Sequence, residues 1–326
     1  MLECKKDVIK FDSANGIHQI QGYLFYQEGV QPKAMIQISH GMCEYLERYS
    51  DFASFLVKQG YLVFGNDHLG HGNSALPEDY GYFAPQDGSE FVVQDLYLMN
   101  RKMAQMYPNI PIFLLGHSMG SFMARQYALL YPETIYALIL SGTGGPHPLS
   151  GMGIVLTKWI SALKGGRYRS KLVNHLAFGS FLSKIDTPKT PHDWITRDEE
   201  IVQAYASDPR CTFIFTVSAF HELLQVQNKV NQVSWAQKMQ KDLPIALFAG
   251  DADPVGNYGK GVMRVHEMLK QAGVKDLYCK LYPNARHEIL NEINRAEVYQ
   301  DILNWCEQQL QNQSARQEDF KVLERQ

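Results

Sequence analysis

Apolar and polar positions along the chain fall into blocks with two different periods. Short stretches that are almost wholly apolar read as buried strands, at residues 34–39, 61–64, 111–115, 135–141 and 244–249. Between them, apolar residues recur at helical spacing over 46–59, 91–107, 121–131 and 261–271. Gly60, Pro108 and Pro132 stand where the first three of these helices should stop. Upstream, residues 8–11 and 17–26 flank Asn15-Gly16, a strong hairpin turn signal. Downstream, residues 277–282 read as a last strand, and a long helix follows to about Gln311. Strands alternating with helices, several of the strands apolar throughout, predict an α/β fold with a mostly parallel sheet covered on both faces.

The rhythm breaks after Gly142-Thr143-Gly144-Gly145-Pro146. From about Leu149 to Val230 the pattern is helical and rich in apolar bulk, including Ile154, Trp159, Phe178, Phe181, Trp194, Phe213, Phe215 and Phe220. This divides the chain into an α/β core, residues 1–146 and 235–311, a helical cap inserted over 147–234, and a polar tail, 312–326.

Composition narrows the class. The 326 residues are 45% hydrophobic and 20% charged, with a net charge of -3. That balance offers nothing to recruit nucleic acid or an anionic membrane through bulk charge. Five cysteines, Cys4, Cys43, Cys211, Cys279 and Cys306, are scattered and lack metal-ligand spacing. Neither a disulfide framework nor a zinc site is expected, and a reducing compartment is the simpler reading. The N-terminal residues have no apolar core of the kind a signal peptide needs, and no apolar run reaches the roughly 18 residues of a membrane span. A cytoplasmic protein is the expectation.

The chemistry centres on Gly116-His117-Ser118-Met119-Gly120. Three fixed positions alone would arise by chance in about one chain of this size in ten. Here the pentapeptide lies between an apolar strand and an amphipathic helix, the strand–turn–helix context of a nucleophile elbow. Such a turn strains the serine backbone, and a side chain at either glycine would collide with strand or helix. A serine hydroxyl needs a base, and the base an orienting acid. Downstream of Ser118, Asp251 and Asp253 lie at a strand end, and His287 follows the last strand. Asp253, deeper in its loop and followed by Pro254, is the better acid, and Asp251 suits bracing the turn. Oxyanion donors in such a fold are backbone N–H groups, here those of Met119 and of Met42 in the loop His40-Gly41-Met42.

Four motifs occur in order: His40-Gly41-Met42-Cys43-Glu44 with Arg48-Tyr49, Asp67-His68-Leu69-Gly70-His71-Gly72-Asn73-Ser74, the elbow, and Gly250-Asp251-Ala252-Asp253-Pro254-Val255. Together they resemble the monoacylglycerol lipase and lysophospholipase branch of the α/β-hydrolases, sometimes grouped with serine aminopeptidases. The resemblance covers roughly residues 8–310. It implies Ser118 as nucleophile, Asp253 as acid, His287 as base, Met42 and Met119 as oxyanion donors, and a cap that binds an acyl chain. It also implies a small lipid ester as substrate and no cofactor. The family usually has glycine at the positions of Cys43 and Ser121 and histidine at that of Tyr45.

Other features carry two readings each. His68 and His71 suit a structural loop better than a metal site, and His117 suits packing behind the elbow. Cys43 is either a reactive thiol lining the site or a small buried hydrophobe. Residues 154–163 form an amphipathic stretch able to line an acyl tunnel, to touch a membrane or micelle transiently, or simply to pack on the core. Lys164, Arg167, Arg169 and Lys171 would either attract a phosphate headgroup or form a solvated face. A peptidase or amidase with the same triad, and a hydrolase-fold binding protein with little turnover, are the rival functions.

Overall fold

The computed structural model describes residues 4–323, with side chains to residue 312. Eight strands form one sheet: β1 (Lys5–Asp12), β2 (Gln19–Tyr26), β3 (Ala34–Ser39), β4 (Tyr61–Asn66), β5 (Ile112–His117), β6 (Ala137–Ser141), β7 (Ile245–Gly250) and β8 (Leu277–Tyr282). Their spatial order is β1-β2-β4-β3-β5-β6-β7-β8. β1 pairs antiparallel with β2 and β2 with β4, and every later pairing is parallel. The α/β class and mostly parallel sheet expected from the apolar blocks are what the chain adopts. β3 to β7 are buried at every position, which is why they read as almost wholly apolar runs. β1, at the edge, is largely exposed.

Helices cover both faces. α1 (Ser50–Lys58) and α10 (Arg295–Leu323) pack on the face that presents Ile36, Val63, Phe113 and Phe248. α2 (Gly88–Met106), α3 (Met119–Leu130) and α9 (Lys260–Gln271) pack on the other, against Leu114, Leu138, Ile245 and Leu247, with Met99 and Met103 of α2 reaching Met35 and Phe64. The helix expected over 46–59 begins with a 3-10 turn, Leu46–Tyr49, before α1. The last helix continues to Leu323, into the polar tail, and residues 324–326 lie outside the described ones.

Between β6 and β7 stand α4 (Ser150–Lys164), α5 (Lys171–Phe178), α6 (Glu199–Ser207), α7 (Val217–Val230) and α8 (Val233–Lys238). Three of these start on side-chain caps: Ser170 accepts from the Val173 N–H, Asp198 from Glu200 and Ile201, and Thr216 from Ala219. Each cap satisfies donors that a helix start leaves free. No helix among the described residues is long and apolar enough to cross a membrane.

Candidate active site

β5 ends at His117 and α3 begins at Met119, so Ser118 alone makes the turn. Its backbone sits at φ 53° and ψ -120°, a region that costs a non-glycine residue on the order of 1–3 kcal/mol. Hydrogen bonds on both sides hold it there. The Ser118 N–H donates to the Ser141 carbonyl at 3.0 Å, and the Ser118 carbonyl accepts from the Ser121 N–H at 2.9 Å and the Ser121 hydroxyl at 2.6 Å. Ser121 thus uses a hydroxyl where a glycine would offer nothing. The glycines are required by space, as expected. A Cβ on Gly116 would lie 2.5 Å from the Gly120 carbonyl oxygen, and one on Gly120 would lie 2.0 Å from that of Ser39.

The turn delivers Ser118 Oγ to His287 Nε2 at 2.8 Å, and His287 Nδ1 meets Asp253 Oδ2 at 2.9 Å. Asp253 is fully buried, and its other oxygen accepts from the Val255 N–H at 2.8 Å. Asp251 stays exposed and accepts from the Asn284 N–H at 2.6 Å, which braces the turn between two loops. Burial opposes a charge on His287. Asp253, with Glu288 and Glu44 behind it, outweighs that and holds the imidazole pKa above its ordinary 6.5.

The loop after β3 lies against this turn. A Cβ on Gly41 would come within 2.6 Å of Glu44 Oε1 and 3.2 Å of Ser118 Cβ, so glycine suits this close approach. Neither the Met42 nor the Met119 N–H donates to another group among the described residues. Cys43 carries the loop onward at φ 55°, a conformation that favours glycine. Its buried thiol donates to the Phe213 carbonyl at 3.3 Å, and burial pushes its pKa up. That environment favours the inert reading of Cys43 over the reactive one. Tyr45 donates to Asp208 at 2.7 Å and accepts from Arg210 at 2.7 Å, which ties the same loop to the turn beyond α6.

Beneath the loop lies a buried ionic cluster that the sequence reading missed. Arg48 donates with both arms to Glu288, at 2.8 and 2.6 Å, and to Glu44 at 2.9 Å. Glu44 also accepts from the Tyr49 hydroxyl at 2.8 Å and from the Gly41 N–H. One guanidinium therefore joins the loop after β3 to the loop of His287. Burial pushes Glu44 up against the pull of Arg48, while Glu288, though equally buried, is held low by its bidentate pairing. The signal for half of this was present, since Glu44 and Arg48 stand four residues apart.

His40, His68 and His71 have structural partners. His40 Nδ1 donates to the Gly41 carbonyl at 2.8 Å, and its Nε2 accepts from the His68 N–H at 2.9 Å. His71 Nδ1 donates to the Leu69 carbonyl at 2.9 Å. Burial lowers the pKa of His68 to about 3 and of His71 to about 4, so both are neutral. No group of three or more His, Cys, Asp or Glu among the described residues is arranged to hold a metal. His117 packs with its ring centroid 4.8 Å from that of His287 and is neutral for the same reason.

Two members of the basic cluster, Arg167 and Arg169, form a clasp, while Lys164 and Lys171 are exposed as in a solvated face. Arg167 pairs with Asp79 at 2.5 Å and stacks on Tyr82, and Arg169 donates to the Glu78 carbonyl at 3.1 Å. Both fasten the α4–α5 connection to the loop after β4.

Comparison with known proteins extends these observations. A family model described as serine aminopeptidase, S33 matches residues 30–294. The chain is 28% identical over 306 residues to a monoglyceride lipase of Rattus norvegicus, covering 90% of each chain. It is 26% identical over 310 residues to a monoacylglycerol lipase of Mycolicibacterium smegmatis, covering 94% of this chain and 98% of the relative. Among solved structures, a thermostable carboxyl esterase from Bacillus coagulans in complex with glycerol superposes with a TM-score of 0.88 at 30% identity. That match covers 94% of this chain and 99% of the esterase.

Proposed function

The chain belongs to the serine aminopeptidase S33 family and has an α/β-hydrolase fold, and from that premise we propose that it is a serine ester hydrolase acting on lipid-like monoesters. Monoacylglycerols are the first substrates and lysophospholipids the second. One observation carries the reading, the unbroken relay Ser118–His287–Asp253 at 2.8 and 2.9 Å on a serine held in a strained turn. Relatives that are monoglyceride lipases support the choice of ester.

In this mechanism His287 Nε2 takes the proton of Ser118 as Oγ attacks the ester carbonyl, and Asp253 steadies the resulting imidazolium. The Met42 and Met119 N–H groups receive the developing oxyanion. Collapse expels the alcohol, protonated by His287, and leaves an acyl-serine. Water activated by His287 then releases the fatty acid and restores the serine.

Residues 147–234 act as the cap in this reading, over a core of 1–146 and 235–311, and the cap is where lipid arrives. Met152, Val155, Trp159 and Leu163 of α4 are 57–77% exposed, and Leu172 and Leu176 of α5 are exposed as well. A contiguous exposed apolar face on a short helix suits transient contact with a membrane or micelle. The five cysteines, all free, fit a cytoplasmic enzyme.

The family description itself favours a second reading, a peptidase or amidase. The test is a panel of p-nitrophenyl esters of rising acyl length, monoacylglycerol, lysophosphatidylcholine and an aminoacyl anilide, with Ser118→Ala as control. Turnover of medium or long monoesters that is lost in the mutant supports the esterase. Anilide cleavage moves the protein to the peptidases. No turnover, with no reaction of Ser118 with a fluorophosphonate, leaves a binding protein.

A further inference from the structure

One stretch of the cap is laced to the loop that carries the base. The His287 N–H donates to the Trp194 carbonyl at 3.4 Å and the Glu288 N–H to the Ile195 carbonyl at 2.6 Å. Arg286 donates to the Thr196 carbonyl at 3.0 Å, Thr196 to the Asn291 carbonyl at 2.9 Å, and Arg197 to the buried Glu292 at 2.9 Å. These bonds run beside His287 and hold the Trp194 indole over it. The two ring centroids are 5.1 Å apart with planes inclined at 38°. Phe181 at 4.9 Å and Phe178 at 6.1 Å back the indole from the cap.

An indole face within about 6 Å of a cation attracts it through the ring quadrupole, more strongly than any other side-chain ring. His287 becomes a cation during the reaction, when Nε2 holds the proton of Ser118. We propose that Trp194 is a positioning residue for that step: its indole stabilises the His287 imidazolium as it forms, and its carbonyl fixes the loop beneath. The inference rests on the triad reading above and adds to it that the cap, which meets the substrate, also sets the strength of the base.

Several other groups face His287. Asp253 bonds Nδ1, Glu288 and Glu44 lie behind it, Arg48 pairs with both glutamates, and His117 stays neutral beside it. From the cap, Asp193 accepts from the Lys189 and Thr190 N–H groups, Arg197 is paired with Glu292, and His192 lies with its ring centroid 5.0 Å from that of Tyr205. Each of these has a bond or contact of its own besides the indole. Replacing Trp194 with leucine keeps the surroundings apolar and removes the ring.

The experiment measures the rate of inactivation by a fluorophosphonate, and kcat/KM on p-nitrophenyl butyrate, from about pH 5 to about pH 9. Wild type, Trp194→Phe and Trp194→Leu are compared. The acid limb marks loss of a proton from His287. In the leucine variant it should move down by about half a unit to one unit, and less in the phenylalanine variant. The plateau should fall about three- to tenfold at the same time, because the charged ring is favoured less in the transition state too. A plateau that falls while the limb stays fixed means that Trp194 only packs, and overturns the proposal. Site-specific fluorotryptophan at position 194 keeps the shape of the side chain and drains the ring face. A limb that steps down with each added fluorine supports the proposal, and one that does not move overturns it even if the leucine variant misfolds. Wild type that never reacts with the probe would instead sink the triad reading underneath.

Discussion

α3 and α4 are both helices rich in apolar residues, and they sit at opposite extremes of burial. In α3, Met119 through Ala128 are buried without a gap, Arg125 and Gln126 included. In α4 only Ser150 and Thr157 are buried, while Trp159 is 68% and Leu163 77% exposed. α4 thus has two apolar sides: Leu156 and Ile160, beside the buried Thr157, pack on the core, while the stripe of Met152, Val155, Trp159 and Leu163 faces away. Its inner side is a seam with α7, made by Thr157, whose hydroxyl lies 3.0 Å from His221 Nδ1, and by Gly153, where a Cβ would meet Leu224 at 2.9 Å. α7 is in turn fastened to α3. Arg125 donates to the Val230 carbonyl at the end of α7 and to Asn231 and Gly144, stacks on Trp235 at 4.4 Å, and has its pKa lowered to about 9 by burial. An apolar period says that a helix has a face to hide, not where it is hidden. The helix that follows Ser118, the proposed nucleophile, is locked along its length, and the helix proposed to meet lipid is held along one side.

The largest separation between the two should appear in rate. Ser118→Ala, at the first turn of α3, should cost on the order of 10⁶ in kcat on a water-soluble p-nitrophenyl ester. Single substitutions to alanine at Met152, Val155, Trp159 or Leu163 should each change that same rate by less than about tenfold, since none touches the relay. A hundredfold loss at any of them would show that α4 takes part in the chemistry, and the contrast would fail.

Stability should separate them next. Gly120→Ala places a Cβ 2.0 Å from the Ser39 carbonyl oxygen and 2.4 Å from that of His40. α3 would have to back away from β3, and about 2–4 kcal/mol of unfolding free energy should be lost despite the better helix propensity of alanine. Urea unfolding of the two proteins measures it, and a loss below about 1 kcal/mol would mean that α3 is less tightly seated than its burial implies. The seam of α4 ranks below this. Thr157→Val leaves His221 without its hydroxyl partner and should cost about 1–2 kcal/mol. A neutral result in the same assay would mean that the seam is held by shape alone.

The sequence made the locked half of this contrast readable and left the other half hidden. β3 to β7 announce themselves because strands buried on both faces have few polar positions, and Gly116 and Gly120 do so because only glycine fits there. Asp253 could be separated from Asp251 by its depth in the loop, and Asp253 is the one that meets His287. The Arg48–Glu288 pairing spans 240 residues, and contacts that distant leave no periodic trace. Trp194 read as one more apolar residue in a helical stretch, because nothing local marks a ring destined to lie on a histidine 93 positions later. Arg167 and Arg169 looked like a charged surface because their partners, Asp79 and Glu78, belong to another element. The direction of α4 was hidden for the same reason: Thr157 is an ordinary polar interruption until His221 is placed opposite it.

The smallest effect expected is also the one that bears most directly on α4. Trp159 is the largest apolar side chain on its outer face, and in a core position its loss would cost about 3–5 kcal/mol. At 68% exposure it has little to lose, and Trp159→Ser should change unfolding free energy by no more than about 0.5 kcal/mol. The same substitution should weaken sedimentation with phosphatidylcholine vesicles about three- to tenfold, because interfacial binding scales with the apolar area a helix can bury. If stability stays level and vesicle binding falls, the apolar face serves something outside the folded chain. A drop of 2 kcal/mol or more would mean that Trp159 is covered by the protein itself in solution, and α4 would then be a second α3.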